Sequence, residues 1–168
     1  MSATLTVTDL PDPAAFGEFH PFIKGVFSQW HPTKFVIAGE TFVTAEQWMM
    51  VSKARLFEDD ETAGQIMTSD DPATQKRLGQ GVRGFDHQVW HEHRIDIVYR
   101  GNFEKFRQNE GAARQLKGTA PAMLVEANPR DWNWGNGLTL DDPGNHQPSV
   151  WKGYNLLGRI LTRIRHEI

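Results

Sequence analysis

The stretch TAEQWMMVSKARLF, residues 44–57, carries the signature of a helix and its start. Thr44 is a preferred N-cap residue, and Gln47 follows it at the spacing of a capping box. Val43 before the cap and Trp48 after it occupy the positions of a hydrophobic staple. The stretch therefore predicts a helix that begins directly after Thr44 and continues to the end of the stretch.

Two charged side chains interrupt the apolar face of this helix. Glu46 and Lys53 are seven residues apart, so they lie at nearly one angle around the axis and about 10 Å apart along it. An acid in the first turn complements the helix dipole, which also keeps a carboxylate ionised for stabilising positive charge or aligning water. Lys53 has three open interpretations: a lysine that snorkels from the core edge, a phosphate ligand or an amine nucleophile.

Outward from this helix, the pattern predicts an α+β protein that is predominantly helical with a few short strands. A β-hairpin is expected before the helix, at 34–43 around Ala38-Gly39-Glu40. The elements expected after it are a short helix with Asp71 as its cap, a long helix from Asp86 to about Asn109 that Gly101 weakens or breaks, a strand at 122–127, and a last helix at 150–166.

The composition fits one compact domain, with residues 1–20 as an irregular lead-in and 21–168 as the domain itself. The chain has 168 residues, of which 39% are apolar, enough to bury a single core. A net charge of −3 gives no general attraction for nucleic acid or anionic membranes, so a local cluster must hold any anionic ligand. The absence of cysteine excludes disulfides, thiolate zinc sites and cysteine nucleophiles.

The first residues lack the basic start and apolar run of a signal peptide. No window approaches the roughly 20 apolar residues that span a bilayer. We therefore expect a soluble cytoplasmic protein with no membrane contact, and we infer no obligate protein partner.

The segment GQGVRG, residues 79–84, matches a dinucleotide-binding fingerprint letter for letter. That fingerprint requires a preceding strand, whereas the residues here predict a helix, so a flexible connector is expected. Arg83 lies close enough to a helix start to hold a phosphate. His91 and His93 are two residues apart and would point to different faces of a helix, so no metal site and no cofactor are predicted.

The loop DWNWGNG, which starts at Asp131, combines large rings with glycines. Trp132 and Trp134 either fill the core beneath a long connection or form a platform for a planar ligand. In the second case, Gly135 and Gly137 would let backbone amides approach phosphate or ribose closely. Asp131 would then bind sugar hydroxyls or act as a second carboxylate, or it only forms an Asx-turn.

Three segments in this order resemble the NADAR family, which is named for its proposed link to NAD and ADP-ribose and includes riboflavin-intermediate N-glycosidases. The likeness runs from about Phe27 to Ile164. Its motifs are FSQWHPTKFVIAGETFVTAEQWMMVSKARLF, LGQGVRGFDHQVWHEHRIDIVYRGNFEKFRQN and LVEANPRDWNWGNGLTLDDPGNHQPSVWKGYNLLGRIL. The resemblance implies an α+β fold that cleaves N-glycosidic bonds of phosphorylated ribosyl compounds.

The resemblance also implies roles for individual residues. The implied catalytic residues are Glu46, Lys53 and Asp131. The implied substrate-binding residues are Ser28, Arg83, Trp90, Trp134, Gly135, Gly137, Trp151 and Asn155. Departures from the family pattern are Gln29 in place of asparagine, Gln47-Trp48 in place of His-Tyr, and Asn133 and Asn136 in place of isoleucines.

Together these observations predict a metal-independent hydrolase that cleaves the bond between ribosyl C1 and nitrogen through an oxocarbenium-like transition state. Glu46 would stabilise that charge, and Lys53 would bind phosphate or form a Schiff base. The expected substrate is ADP-ribosylated guanine, including ADP-ribosylated DNA. The alternatives are a riboflavin-pathway ribosyl phosphate, an ADP-ribose-binding module without catalysis, and a structural protein with a tryptophan-filled core.

Overall fold

The computed structural model describes residues 3–168 and has an α+β fold that is mainly helical. This confirms the predicted fold class. Within the described residues there are six α-helices: α1 Ala45–Leu56, α2 Asp60–Met67, α3 Pro72–Gln80, α4 His87–Gln108, α5 Glu110–Lys117 and α6 Leu156–Arg165. The strands are β1 Phe19–Phe22, β2 Phe35–Ile37, β3 Glu40–Phe42 and β4 Met123–Glu126.

The chain divides into two compact units. The first unit contains Gln29–Asn109 and the described part of the first six residues, and the second contains Val7–Ser28 and Glu110–Ile168. The domain expected at 21–168 therefore includes residues of both units, and its status as a single domain stays a prediction.

A hairpin opens the first unit, as predicted. β2 and β3 pair antiparallel, with Phe35 opposite Phe42 and Ile37 opposite Glu40. Ala38 and Gly39 connect them with φ values of 52° and 80°. Positive φ at both central residues gives a two-residue turn whose twist matches that of the strands.

α1 is the central helix of the first unit and packs against α2, α3 and α4. The Thr44 side chain accepts the N–H of Gln47 at 3.0 Å, which confirms the predicted N-cap. The return bond of the capping box is displaced by one residue, because Gln47 Oε1 accepts the N–H of Val43 at 2.8 Å. The amide of Gln47 also donates to the carbonyls of Ile66 and Ser69, so it fixes the end of α2 to α1.

Gly101 does not break α4, which runs unbroken for 22 residues. A Cβ at this position would overlap the indole of Trp48, so the glycine allows a close approach of α1 to α4. The same indole donates from Nε1 to the carbonyl of Ile97 at 2.7 Å and packs edge-on against Phe42. The packing position of the Trp48 ring therefore requires a glycine at residue 101 of α4.

In the second unit, β1 and β4 pair in parallel, with Phe19 opposite Met123, and α6 packs against β4. The sequence did not reveal β1, whose first residues lie in the expected lead-in. That lead-in also contains two short 3₁₀ turns, Val7–Asp9 and Pro13–Ala15. Helices α2 and α5 were missed as well, since each has only 8 residues, which is about two turns.

The last helix begins at Leu156, so its predicted start at residue 150 was wrong. Trp151 and Tyr154 lie outside it. The reason is that the preceding amides bond the tryptophan loop instead of a helical turn: Lys152 and Gly153 donate to the carbonyl of Asn136, both at 2.9 Å.

Other predicted boundaries agree with the structure. Asp71 caps α3 by accepting the N–H of Thr74 at 3.1 Å, and Asp86 caps α4 by accepting that of Val89 at 3.0 Å. The predicted strand at 122–127 is β4. The segment GQGVRG is a loop only in part, because its first two residues complete α3.

Candidate active site

Glu46 lies in the first turn of α1 and is 4% exposed. Its backbone N–H donates to the carbonyl of Gln29 at 3.0 Å, which holds the start of the helix against the preceding chain. The Gln29 side chain is buried too, where its Oε1 accepts from the amide of Asn102 at 2.7 Å. The carboxylate therefore lies in a water-poor region within the positive end of the helix dipole.

Lys53, two turns along the same helix, lies among aromatic rings. Its Nζ is 4.7 Å from the ring centroid of Phe85 and 5.6 Å from that of Trp90. The amine is half-buried, and this burial lowers the pKa of Lys53, while the negative charge of Glu46 raises it by a smaller amount. The pair predicted from the seven-residue spacing is thus electrostatically coupled.

Phe85 is a residue of this cluster that the sequence interpretation missed. It directly precedes Asp86, the N-cap of α4, and Trp90 lies four residues after that cap. These are the N′ and N4 positions of a hydrophobic staple. The staple pattern was therefore the signal that would have indicated both rings.

Arg83 is engaged with two carboxylates. Its guanidinium is 2.9 Å from Asp59 and 2.9 Å from Glu61, and its backbone N–H also donates to Asp59. These bonds from Arg83 hold the pKa of Asp59 well below its usual range and raise the pKa of Arg83 itself. A phosphate would have to compete with both acids for this guanidinium.

In the second unit, Asp131 shapes the tryptophan loop. Its Oδ1 accepts the N–H groups of Asn133 and Trp134, both at 2.9 Å. This is the Asx-turn geometry that the residue type favours. One carboxylate oxygen is therefore already bonded to the loop backbone.

The two tryptophans of the loop differ in exposure. Trp132 is 55% exposed, whereas Trp134 is half-buried. A Cβ on Gly137, whose φ is 79°, would lie 2.9 Å from the Trp132 ring. A Cβ on Gly135 would lie 2.8 Å from the carbonyl oxygen of Asp131. Both glycines are thus required for packing within the loop itself.

Asn136, a departure from the family pattern, is fully buried. Its amide donates to Oδ1 of Asn145 at 2.7 Å, and its own Oδ1 accepts the N–H of Leu138 at 3.1 Å. Asn136 stands where the family pattern has an apolar residue, and both polar groups of its amide find hydrogen-bond partners inside the loop.

Asn155 is fully buried between the loop and β4. Its Oδ1 accepts the N–H of Glu126 at 2.9 Å, and its Nδ2 donates to the carbonyl of Leu124 at 3.0 Å. A Cβ on Gly158 would overlap both that carbonyl and the Asn155 amide. The side-chain amide of Asn155 is therefore bonded to the backbone of β4, and it fixes the start of α6 against that strand.

Trp151 lines a cavity of about 410 Å³ with Asp12, Tyr154 and Arg159 among its other walls. Its indole is fixed by a bond from Nε1 to the carbonyl of Gly144 at 3.0 Å. Burial lowers the pKa of Arg159, and the charge of Asp12 partly opposes this. The cavity is thus preformed, with one fixed ring and one half-buried cation.

The structure assigns the predicted site residues to the two units. The first unit brings Glu46, Lys53 and Trp90 together and places Arg83 in an ion-pair cluster. The second unit contains Asp131, Trp134, Gly135, Gly137, Trp151 and Asn155. It also contains Ser28, a half-buried residue that ends the segment Val7–Ser28 of that unit.

Two further properties concern only residues 3–168. That part of the chain contains no group of three or more histidine, aspartate or glutamate side chains arranged to hold a metal ion. No helix found there has the length and apolar character needed to cross a membrane.

Comparisons with known proteins agree with this fold and these motifs. Residues 16–168 match the family model of the NADAR domain. N-glycosidase R617 of Acanthamoeba polyphaga mimivirus is 42% identical over 147 residues, covering 84% of this chain and 86% of the viral protein. Riboflavin biosynthesis protein VVA0006 of Vibrio vulnificus is 26% identical over 86% of this chain, which spans 35% of that protein. The NMR structure of E. coli YbiA superposes with a TM-score of 0.73 at 24% identity, covering 90% of this chain and 84% of YbiA.

The class of protein is that of the N-glycosidases, which are hydrolases acting on N-glycosyl bonds. Within that class, the chain belongs to the NADAR family, as the sequence motifs implied. The likeness to YbiA concerns the fold and agrees with the α+β assignment.

Proposed function

We propose that the protein hydrolyses the bond between ribosyl C1 and the nitrogen of ADP-ribosylated guanine, either free or within nucleic acid. The observation that carries this proposal is the coupled pair on α1: a carboxylate that is 4% exposed and a half-buried amine under two aromatic rings. Ionisable groups with such surroundings are typical of active sites.

Glu46 acts on the charge that develops at C1. As the C1–N bond breaks, its electron pair leaves with the nitrogen and positive charge develops on the ribosyl ring. A buried carboxylate stabilises this charge more strongly than one in water, because the local dielectric is low. Glu46 also aligns the water that adds to C1, and a proton from that water ends on the departing nitrogen.

Lys53 has two roles that both fit its surroundings. In its charged form it binds a phosphate oxygen of the substrate. In its neutral form, which the lowered pKa makes more abundant, it attacks the aldehyde carbon of the opened sugar and forms a Schiff base with loss of water. Borohydride reduction traps a covalent adduct in the second case and none in the first.

Within the second unit, the tryptophan loop has the features of a ligand-binding surface of its own. Trp134 stacks on the planar part of the ligand, and the glycine-rich backbone approaches its ribose or phosphate groups. Asp131 keeps the loop in shape through its bonded oxygen and orients the ribose through the other. Trp151 and Asn155 complete the surface by fixing the segment before α6.

A second candidate substrate is a phosphorylated ribosyl intermediate of riboflavin synthesis. The similarity to VVA0006, named a riboflavin biosynthesis protein, supports this alternative. It uses the same Glu46 and Lys53 chemistry, because the bond that breaks is again ribosyl C1–N.

The decisive experiment is a product assay by mass spectrometry on three substrates: an oligonucleotide with ADP-ribosylated guanine, ADP-ribosyl-guanosine and an aminouracil ribosyl phosphate. We expect release of ADP-ribose from the first two, which leaves unmodified guanine in the oligonucleotide and guanosine, and loss of this release in a Glu46→Gln variant. Glu92→Gln, which changes an exposed acid of the same unit, is the matched control.

Turnover of the aminouracil compound alone would overturn the ADP-ribosyl substrate and support the second candidate. Binding of all three without release of product would make the protein a non-catalytic binding module. In that case wild type and Glu46→Gln would also bind equally well.

A further inference from the structure

Phe85 is a partly exposed ring in contact with the amine of Lys53. Its ring is 43% exposed, and the ring centroid is 4.7 Å from Lys53 Nζ. The Trp90 ring is on the same amine at 5.6 Å. Two aromatic faces therefore surround the amine, and one of them forms part of the protein surface.

The backbone and its neighbours fix the Phe85 ring. It packs edge-on against Phe57, with ring centroids 5.4 Å apart, and lies 6.3 Å from the ring of His87. Gly84, with φ of 74°, turns the chain immediately before it, where a Cβ would lie 3.5 Å from the carbonyl of Phe57. The helix cap of Asp86 follows directly. The ring is therefore held between the end of α1 and the start of α4.

We propose that Phe85 is a positioning residue for Lys53: its ring holds the amine at one place beside Trp90 and keeps water from it. The part of this role that concerns turnover rests on the proposed function. A cation over the face of an aromatic ring is attracted by the ring quadrupole, and a ring on the solvent side also limits hydration.

Several charged groups surround this contact. Glu46 on α1 attracts the ammonium group, and His87 on α4 touches Phe85 while its own ring lies 6.5 Å from that of His91. Between α1 and α2, the Asp59 carboxylate is paired with a guanidinium. Burial favours the neutral form of the Lys53 amine, whereas the Glu46 charge and the Phe85 ring face favour its ammonium form. Loss of the ring face therefore shifts this balance toward the neutral amine.

The test compares Phe85→Leu, which keeps apolar bulk but removes the ring face, with Phe85→Tyr, which keeps the face. The probe is acetic anhydride, whose reaction with the Lys53 amine is followed by mass spectrometry as a function of pH. We expect Phe85→Leu to increase the acid dissociation constant of Lys53 by about two- to fivefold. We expect Phe85→Tyr to titrate like the wild type.

Phe103→Leu is the matched control, since Phe103 is a half-buried ring of the same unit that stacks on Tyr99 at 5.8 Å. Thermal unfolding of each variant shows whether it is folded before labelling. Identical Lys53 titration in Phe85→Leu and wild type would overturn the proposal. An equal shift in Phe85→Leu and Phe85→Tyr would overturn it as well, since that result indicates a packing effect.

Turnover provides a separate readout on whichever substrate the wild type cleaves. We expect Phe85→Leu to lower kcat severalfold and Phe85→Tyr to restore it. If no substrate is cleaved, the proposed function fails while the labelling result still decides whether Phe85 positions Lys53. If cleavage is normal and labelling is unchanged in Phe85→Leu, the positioning role fails and the proposed function stands.

Discussion

The face of α1 and the tryptophan loop use polar side chains in opposite ways. On α1, the charged groups of Glu46 and Lys53 are buried or half-buried among side chains, and burial lowers the pKa of the lysine. In the second unit, the loop residues Asp131 and Asn136, together with Asn155 at the start of α6, bond main-chain N–H and C=O groups. The first region thus retains side chains for chemistry, and the second uses them to define a backbone shape.

This difference follows from how each region satisfies its backbone. A helix pairs its own N–H and C=O groups except at its ends, so its side chains are available for other contacts. An irregular loop has no such ladder, and its buried backbone groups must find other partners. Because their side chains already bond backbone groups, Asp131 and Asn136 are weaker candidates for catalysis than Glu46 and Lys53.

The strongest test of this difference is the Glu46→Gln substitution. Because an amide has no charge to stabilise the transition state, we expect kcat/KM to fall by about 10²- to 10⁴-fold, as for loss of an acid–base or charge-stabilising group. The glutamine should leave the folded structure intact. A fall of less than threefold would mean that the α1 face does not carry the chemistry.

Lys105 is a buried amine of the first unit to which no role in the reaction is assigned. It is fully buried on α4, and burial lowers its pKa to about 7. Since the unfolded lysine titrates near pH 10.4, the unfolded chain binds more protons between pH 7 and 10, and stability rises with pH in that window. Over the whole window the free energy of unfolding rises by about 4–5 kcal/mol. Below pH 7 Lys105 is protonated in both the folded and the unfolded chain, so the free energy of unfolding no longer changes with pH through this group.

Urea unfolding from pH 6 to 10 measures this dependence. In Lys105→Met we expect the corresponding rise to disappear and the free energy of unfolding at pH 7 to exceed that of the wild type. The same pH slope in both proteins would show that Lys105 does not lose its proton on folding.

Gly158→Ala tests how tightly the second unit defines its backbone. The new methyl group would overlap the carbonyl of Leu124 and the amide of Asn155, so we expect a loss of about 3 kcal/mol in the free energy of unfolding. Gly17→Ala is the control in the same unit, since nothing lies within 4 Å of its Cβ position. Equal stability of the two variants would show that the segment relaxes readily.

The smallest effect is expected from Asp131→Asn, which mirrors the change made at Glu46. The amide oxygen of asparagine still accepts the N–H groups of Asn133 and Trp134, so the loop should keep its shape. We expect kcat/KM to change by less than about fivefold and stability by less than about 1 kcal/mol. A loss as large as that of Glu46→Gln would make Asp131 a second catalytic acid and remove the contrast between the two regions.

The sequence predicted those elements that are specified by neighbouring residues. Thr44, Asp71 and Asp86 each cap the helix that was expected after them, because a cap acts within three residues. Strand β1 was missed because its partner β4 lies about a hundred residues away along the chain. The start of α6 was misplaced because the preceding amides bond carbonyls of the tryptophan loop, such as those of Asn136 and Trp132, which lie outside the few residues that a helix pattern covers.

The candidate site was predictable to a similar extent. Helical spacing indicated that Glu46 and Lys53 share a face, and the structure shows their charges interacting. Phe85 lies in a connection without periodicity, so only the hydrophobic-staple spacing around Asp86 would have indicated it. The ion pairs of Arg83 depend on the way the start of α2 and the loop after α3 approach each other, which no local pattern describes.

The close packing of Trp48 on Gly101 limits which residues these two positions can accept. An alanine at 101 is tolerated only if residue 48 becomes smaller at the same time, so the two positions are expected to be strongly epistatic. The absence of a methyl group at 101 thus lets the Trp48 indole pack directly on α4 and bond the carbonyl of Ile97, so α1, which carries Glu46 and Lys53, lies close to α4.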